Sequence, residues 1–292
     1  MKKINGLFII LSLLASNWSS AKENLKAKTA HSDVALLAPT SIFKPLLADP
    51  KYPRFSIAYY HYNEGEFKYN TMAPNFGAAL PLVRWFGDGN DLEYELGLHA
   101  GLFAAMDIRS TPTRLINADY FIGPTLAIKN DKWDYLLRVT HTSSHIGDEL
   151  LLSKDGKRRN IKRINLSYET AEGIVAYNFA NGFRPYMGVG YIVHAEPTSY
   201  KTAEVIAGFD YRHPEYYLKG YAKPIFAVYS KTSRNFNWKP SLSVKTGVEF
   251  KDRFVIGKQL QVFLEYYNGN SIQGQFYKSR ESYVGLSLNL NF

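Results

Sequence analysis

From Arg54 onward the chain consists of runs in which apolar and polar residues alternate, the mark of strands whose two faces meet different surroundings. The clearest is Leu92 to Met106, where Leu92, Tyr94, Leu96, Leu98, Ala100 and Leu102 share one face and Glu93, Glu95, Gly97, His99 and Gly101 the other. Ala203 to Arg212 sets Val205, Ala207, Phe209 and Tyr211 against Glu204, Asp210 and Arg212. Leu242 to Lys251 and Gln259 to Tyr267 repeat the split, with Lys245, Glu249, Gln261 and Glu265 on the polar side. In the last ten residues Val284, Leu286, Leu288, Leu290 and Phe292 oppose Tyr283, Gly285, Ser287, Asn289 and Asn291. Short and long connections take turns along the chain, with short turns predicted near Gly87-Asp88-Gly89, Asn130-Asp131, Asn181-Gly182, His213-Pro214 and Asp252-Arg253. The pattern yields about twelve strands, an even number that returns both ends of the series to the same side of a membrane.

Carboxylates in mid-strand opposite a greasy face require a polar interior, so the expected fold is an all-β, transmembrane antiparallel barrel over residues 54–292. Its lumen would receive Glu93, Glu95, Asp119, Arg138, Arg184, Glu204, Arg212, Lys219, Lys223, Lys245, Glu249 and Glu265. These are of mixed sign, which favours ion pairs and water over a single-sign filter. A barrel of this strand number is narrow, so a wide diffusion pore is not the first expectation. The final strand resembles the terminal signal of bacterial outer-membrane barrels, carried here by Tyr283, Gly285, Leu288, Leu290 and Phe292. That resemblance implies the outer membrane of a Gram-negative cell and insertion by the barrel assembly machinery. At the other end Lys2 and Lys3, the apolar run Leu7 to Ala15 and Ser19-Ser20-Ala21 predict a signal peptide over residues 1–21. Residues 22–53 carry Pro39, Pro45, Pro50 and Pro53 without alternation and read as an irregular periplasmic lead-in, with a plug or a partner-binding arm as alternatives.

Composition adds to this picture. The chain has 22 Tyr and 18 Phe among 292 residues, and a net charge of +9 to which Lys2 and Lys3 contribute. Nothing in it points to nucleic acid. Cysteine is absent, which excludes disulfides, thiol catalysis and a lipoprotein anchor.

One strand carries candidate chemistry. Trp133, Tyr135, Leu137 and Val139 form its greasy face, and the same parity continues into His141, Ser143 and His145 near the outer-leaflet end. The following loop supplies Asp148 and Glu149, then Lys154, Lys157, Arg158, Arg159, Lys162 and Arg163. The bland reading is an interfacial polar belt and a solvated loop; the functional one is a catalytic pair with Lys157, Arg158, Arg159 and Arg163 binding phosphates of lipid or lipopolysaccharide. Metal is a further option through His141, His145, Asp148 and Glu149, although the histidine spacing suits zinc poorly on a strand.

The His-x-Ser pair resembles that of two classes of outer-membrane lipid hydrolase, outer membrane phospholipase A and lipid A 3-O-deacylase. The resemblance implies His141 as base, Ser143 as nucleophile and a third residue orienting the imidazole, for which Asn165, Glu149 and Asn160 are the candidates. No cofactor is implied beyond Ca²⁺ held by Asp148 and Glu149 against a lipid phosphate. A longer resemblance rests on Phe43-Lys44-Pro45-Leu46-Leu47-Ala48-Asp49-Pro50, on His141-Thr142-Ser143-Ser144-His145-Ile146-Gly147-Asp148-Glu149, and on Tyr266-Tyr267-Asn268-Gly269 with Gly274-Gln275-Phe276-Tyr277. These segments look like those of a bacterial family catalogued as a domain of unknown function, number twelve-oh-seven, which implies an outer-membrane barrel and no assigned activity. The functions expected are therefore an envelope role without chemistry, an outer-leaflet lipid esterase, a small-solute pore, or, with least support, an adhesin.

Overall fold

Every backbone amide and carbonyl in a bilayer needs a partner, and strands meet that need only by closing on themselves. The computed structural model of the protein, which describes residues 34–65, 70–87, 92–158, 160–251 and 259–291, shows that closure. The strands are β1 (Val34–Leu36), β2 (Phe55–Glu64), β3 (Asn70–Phe86), β4 (Leu92–Asp107), β5 (Arg114–Asn130), β6 (Trp133–Ile146) and β7 (Leu166–Tyr177). They continue with β8 (Phe183–Glu196), β9 (Ala203–Arg212), β10 (Ala222–Ser233), β11 (Ser241–Phe250), β12 (Gln259–Asn270) and β13 (Arg280–Asn291). Each of β2 to β13 pairs antiparallel with its sequence neighbours, and β13 pairs with β2 to seal the wall. Two short helices, α1 (Asp148–Leu152) and α2 (Lys154–Arg158), sit in the long loop after β6.

The alternation read from the sequence becomes inside and outside. Ile57 and Tyr59 on β2, Leu137 and Val139 on β6, Met187, Val189 and Tyr191 on β8, and Leu286 and Leu288 on β13 all face outward and exposed. Such a band on a closed barrel is lipid-facing, and the protein resides in the bacterial outer membrane. Within the terminal motif, Gly285 lies opposite Tyr60, and a Cβ there would stand 2.3 Å from the Tyr60 ring. Tyr60, Tyr283 and Tyr267 pack over that gap, with the Tyr60 and Tyr283 ring centres 4.3 Å apart. Phe292 lies outside the described residues, as do the signal segment, most of the turns at Gly87-Asp88-Gly89 and Asp252-Arg253, and Arg159.

The closed wall has the twelve strands expected, β2 to β13, and the short β1, added to the edge of β3, explains what lies inside the barrel. β2 pairs with the outer part of β3 from Asn70 to Asn75, while β1 pairs with Val83 to Trp85 farther down the same edge. The two strands thus share one lane, and residues 37–54 between them leave the wall. Of the segment read as a periplasmic lead-in with a plug as one alternative, the described part from residue 37 on is irregular and runs through the lumen. Phe43, Leu46, Leu47, Ala48 and Tyr52 are buried against Leu136, Ile174, Ile206, Ile225 and Phe263 from the wall. The Arg54 guanidinium ties the segment into a knot, donating to the carbonyls of Leu46, Leu47, Asp49 and Tyr52 at 2.8–3.2 Å. The Tyr52 side chain is fully buried and stands edge-on to His99 at 5.4 Å.

The charges expected in the lumen are there, and many serve to hold this segment. Glu95 accepts from the Ser41 hydroxyl at 2.6 Å and from the Ile42 amide, while pairing with Arg84. Lys51 meets Asp119 at 2.6 Å, and Arg138 lies between Asp49 and Glu172. Lys223–Glu249, Lys231–Glu204 and Lys245–Glu265 complete a ring of pairs at 2.6–3.0 Å. Lys219 is a correction: it lies exposed in the turn after β9 with a φ of 61°, outside the lumen. Glu93 pairs with Lys129 and is only partly covered.

Asp210 is the node of the network. Fully buried, it accepts from the Leu47 amide at 3.1 Å and pairs with Arg184 at 3.3 Å and Arg212 at 3.7 Å. Asp210→Ala leaves the buried Arg184 and the partly buried Arg212 without this counter-charge and is expected to cost about 3–5 kcal/mol. Urea unfolding in lipid vesicles measures it, with Asp210→Asn recovering part of the loss because an amide oxygen still accepts from Leu47.

Candidate functional site

Strand β6 keeps its register with β5 and β7 past the aromatic positions, so the parity that points Trp133 to Val139 at lipid carries on to His141, Ser143 and His145. The alternation thus places all three residues on the exterior. Which side chains they meet is decided by the neighbouring strands.

His141 lies directly opposite Glu169 of β7, and its Nδ1–H donates to Glu169 Oε1 at 2.7 Å. The other carboxylate oxygen takes the Nδ1–H of His194 from β8, also at 2.7 Å. An ionised carboxylate only accepts, so Glu169 fixes both rings with a proton on Nδ1. Ser143 forms a separate pair with His145, Oγ to Nε2 at 3.0 Å. The Tyr120 ring of β5 stands edge-on to the His145 imidazole, centres 5.7 Å apart.

This differs from the pairing expected from the His-x-Ser spacing. The imidazole in contact with Ser143 is His145, two residues after it, and His141 is engaged with Glu169. Among the described residues no hydrogen bond joins Asn165, Glu149 or Asn160 to either histidine. Asn165 is exposed just before β7, Asn160 lies in the loop with a φ of 52°, and Glu149 lies in the first turn of α1. Glu169 holds the orienting position instead. Its signal was present, since in Leu166–Tyr177 it shares parity with Val175 and Tyr177, a carboxylate on the lipid face. His194 had no such signal: β8 carries a bulge at Val193, where Glu169 pairs with His194 and Thr170 with Ile192. That single extra residue reverses the facing and delivers His194 to the outside.

The external loop packs inward over the barrel mouth. Leu150 of α1 is fully buried with Ala105, Ile116 and Ile146, and Ile161 rests on the same cluster. From the last loop, Gln275 donates to the carbonyls of Ser144 and Ile164 and its amide to Asn117. Lys157 and Arg158 end α2 and are exposed, as is Arg163. Asp148 and Glu149, adjacent and exposed, converge on nothing: among the described residues no group of three or more His, Cys, Asp or Glu is placed to hold a metal ion.

Outside the barrel, a groove of about 520 Å³ runs across five strands from Phe55 on β2 and Phe76 on β3 to His141 and Ser143 on β6, and those two are its polar end. Inside, a chamber of about 200 Å³ lies between the lumenal segment and the external loops.

Among solved structures the chain resembles outer membrane phospholipase A from Escherichia coli, at 14% identity over 88% of this chain and 99% of that one, with a TM-score of 0.55. It is also similar to the Salmonella typhi outer membrane phospholipase dimer with bound calcium, at 14% identity over 83% of this chain and 93% of that one, TM-score 0.53. These likenesses concern the fold. No curated protein matches the chain. The family model described as "Protein of unknown function (DUF1207)" matches residues 17–292, and the chain belongs to that family.

Proposed function

We propose that the protein is a serine esterase acting on acyl esters of outer-leaflet lipids. The observation that carries this reading is the Ser143–His145 hydrogen bond on the outside of the barrel, at the polar end of an otherwise apolar groove. A serine hydroxyl is a weak nucleophile until a neighbouring base takes its proton. As the Ser143 oxygen attacks the ester carbonyl, its proton passes to His145 Nε2; the imidazolium then protonates the departing alcohol, leaving an acyl-serine. Water, activated by the same nitrogen, releases the fatty acid and restores Ser143. The solved outer membrane phospholipases of similar fold are compatible with a lipid esterase built on such a barrel.

A second assignment of the base is favoured by Glu169. His141 has the carboxylate on Nδ1, the arrangement found in serine triads, and lies two residues before Ser143 on the same face of β6. Glu169→Gln separates the two: activity falls steeply if His141 is the base and stays near wild type if His145 is. A pore is disfavoured by the segment 37–54 in the lumen, and a purely structural envelope role leaves the exterior polar pair without employment. The basic residues Lys157, Arg158 and Arg163 suit the phosphates of the lipid headgroup or of lipopolysaccharide above the site.

The test is fatty-acid release by purified protein in mixed micelles of phospholipid and of lipid A, with calcium present, together with covalent labelling by a fluorophosphonate. Release that Ser143→Ala abolishes, with the label mapped to Ser143, is the expected result. Absence of release from both lipid classes, and of label, sinks the proposal.

A further inference from the structure

The groove beside Ser143 has a construction that follows from strand register. Its upper bank is one paired row, Phe76–Leu102–Tyr120–Ser143, and its lower bank the next outward row, Ala78–Ala100–Ile122–His141. Phe76, Tyr120 and Ile122 project from the wall, each about half exposed, whereas Ala78 and Ala100 carry one methyl each. The trough is therefore a stretch of alanine between bulky neighbours, closed at its far end by Phe55 and Phe76, whose rings meet edge to face at 5.9 Å. Three interstrand spacings of about 4.8 Å give it a length of about 14 Å, enough for an extended chain of roughly a dozen methylenes.

The slope of the trough is also fixed by register. The row that begins at Phe86, at the periplasmic end of β3, passes through Glu93, Lys129 and Asp134, and continues round the wall by way of Tyr186, Tyr229 and Tyr267. It reaches Tyr283 and then Tyr62 of β2, beside His61, the partner of Asn70 at the opposite end of β3. Rows therefore climb outward in the direction β3 to β6. Read the other way, the trough descends from Ser143 near the outer surface toward the bilayer interior at Phe76.

We propose that this trough is the acyl-chain subsite: it takes one hydrocarbon chain of a lipid ester, with the carbonyl at Ser143 and the methyl end against Phe55 and Phe76. Ala78 and Ala100 set the chain length accepted. The inference rests on the esterase reading and names its substrate as a lipid with a medium-length acyl chain. The occupant follows from the surroundings, because the exterior at this depth is bathed in hydrocarbon and the trough's lining is apolar apart from Tyr120 and, at the end where an ester is needed, Ser143 and His141.

The experiment is a chain-length series of p-nitrophenyl esters from C4 to C16. For wild type kcat/KM rises with length to about C12 and then levels. Ala100→Trp lowers the ratio of C12 to C4 kcat/KM at least tenfold, Ala78→Leu lowers it less, and Leu264→Trp, on the exterior of β12 away from the trough, leaves it unchanged. Equal losses at every length overturn the subsite while leaving the esterase intact. A C12 fatty acid bearing a terminal diazirine, photolysed in vesicles with the protein, supplies a readout independent of activity. Crosslinks concentrated at Phe55 and Phe76 and lost in Ala100→Trp support the proposal even where no hydrolysis is seen; crosslinks spread evenly round the barrel refute it.

Discussion

Ser143→Ala is expected to lower lipid-ester hydrolysis by about 10³-fold or more, with His145→Ala close behind and the double variant hardly worse than either. The reason is that nucleophile and base act as a unit. Once the hydroxyl is gone the imidazole has no proton to take, and once the imidazole is gone the hydroxyl remains un-ionised at neutral pH. His141→Ala and Glu169→Gln report on the other ring. If the Ser143–His145 contact is the working one, both changes reach activity only through the local packing of the three imidazoles, and effects stay within about tenfold. A loss of about 10⁴-fold in Glu169→Gln transfers the role of base to His141, because the amide can no longer impose the Nδ1–H tautomer on both rings. Rates on a soluble ester, where chain binding is weak, separate this chemistry from the substrate's fit in the trough.

Arg54→Ala is expected to give a conducting barrel where the wild type conducts no measurable current in a planar bilayer. Four carbonyls of the lumenal segment converge on one guanidinium, and of these only that of Asp49 has a second donor, the Tyr52 amide at 3.3 Å. Leaving buried carbonyls unpaired costs about 1–3 kcal/mol each before relaxation, comparable in sum with the stability of a small domain. The wall has its own ladder and its own ion pairs, so the loss falls on the segment: it loosens, water enters the lower lumen, and steps of current appear. Arg54→Lys restores one or two of the four contacts and conducts less often. A silent Arg54→Ala protein, shown by heat-modifiable mobility to be folded, refutes the idea that the knot is what keeps the lumen shut.

The wall of this protein was legible in the sequence because one side of every strand meets hydrocarbon. A one-residue slip there would turn Leu286 and Leu288 inward and Glu265 outward, so register and alternation are bound together. The lumenal segment was not legible in the same way. Phe43, Leu46, Leu47 and Tyr52 have no period of their own, and their partners, Ile174 to Phe263, are distant in the chain. The prolines spoke only of irregular backbone. At the site, parity placed His141, Ser143 and His145 together and outside, but two imidazoles flank the serine at equal sequence distance, and only side-chain geometry distinguishes them. Glu169 could be read by parity. His194 could not, because a bulge at Val193 is invisible to a count of two.

The sharing of one lane by β1 and β2 has a mechanical consequence. A stopper tethered at one end can be drawn out like a cork, whereas residues 37–54 are fastened to the wall at both ends, like a hasp. The lower fastening is β1, held by the register of Val34, Ala35 and Leu36 against Trp85, Arg84 and Val83. Tension applied to the chain before Val34 would unzip that three-residue ladder first, long before it strained the barrel. The same pull would then reach Arg84 and Glu95, which hold the segment near Thr40 and Ser41. A shut lumen with so short a clasp is one that a partner gripping the leading residues could release by force.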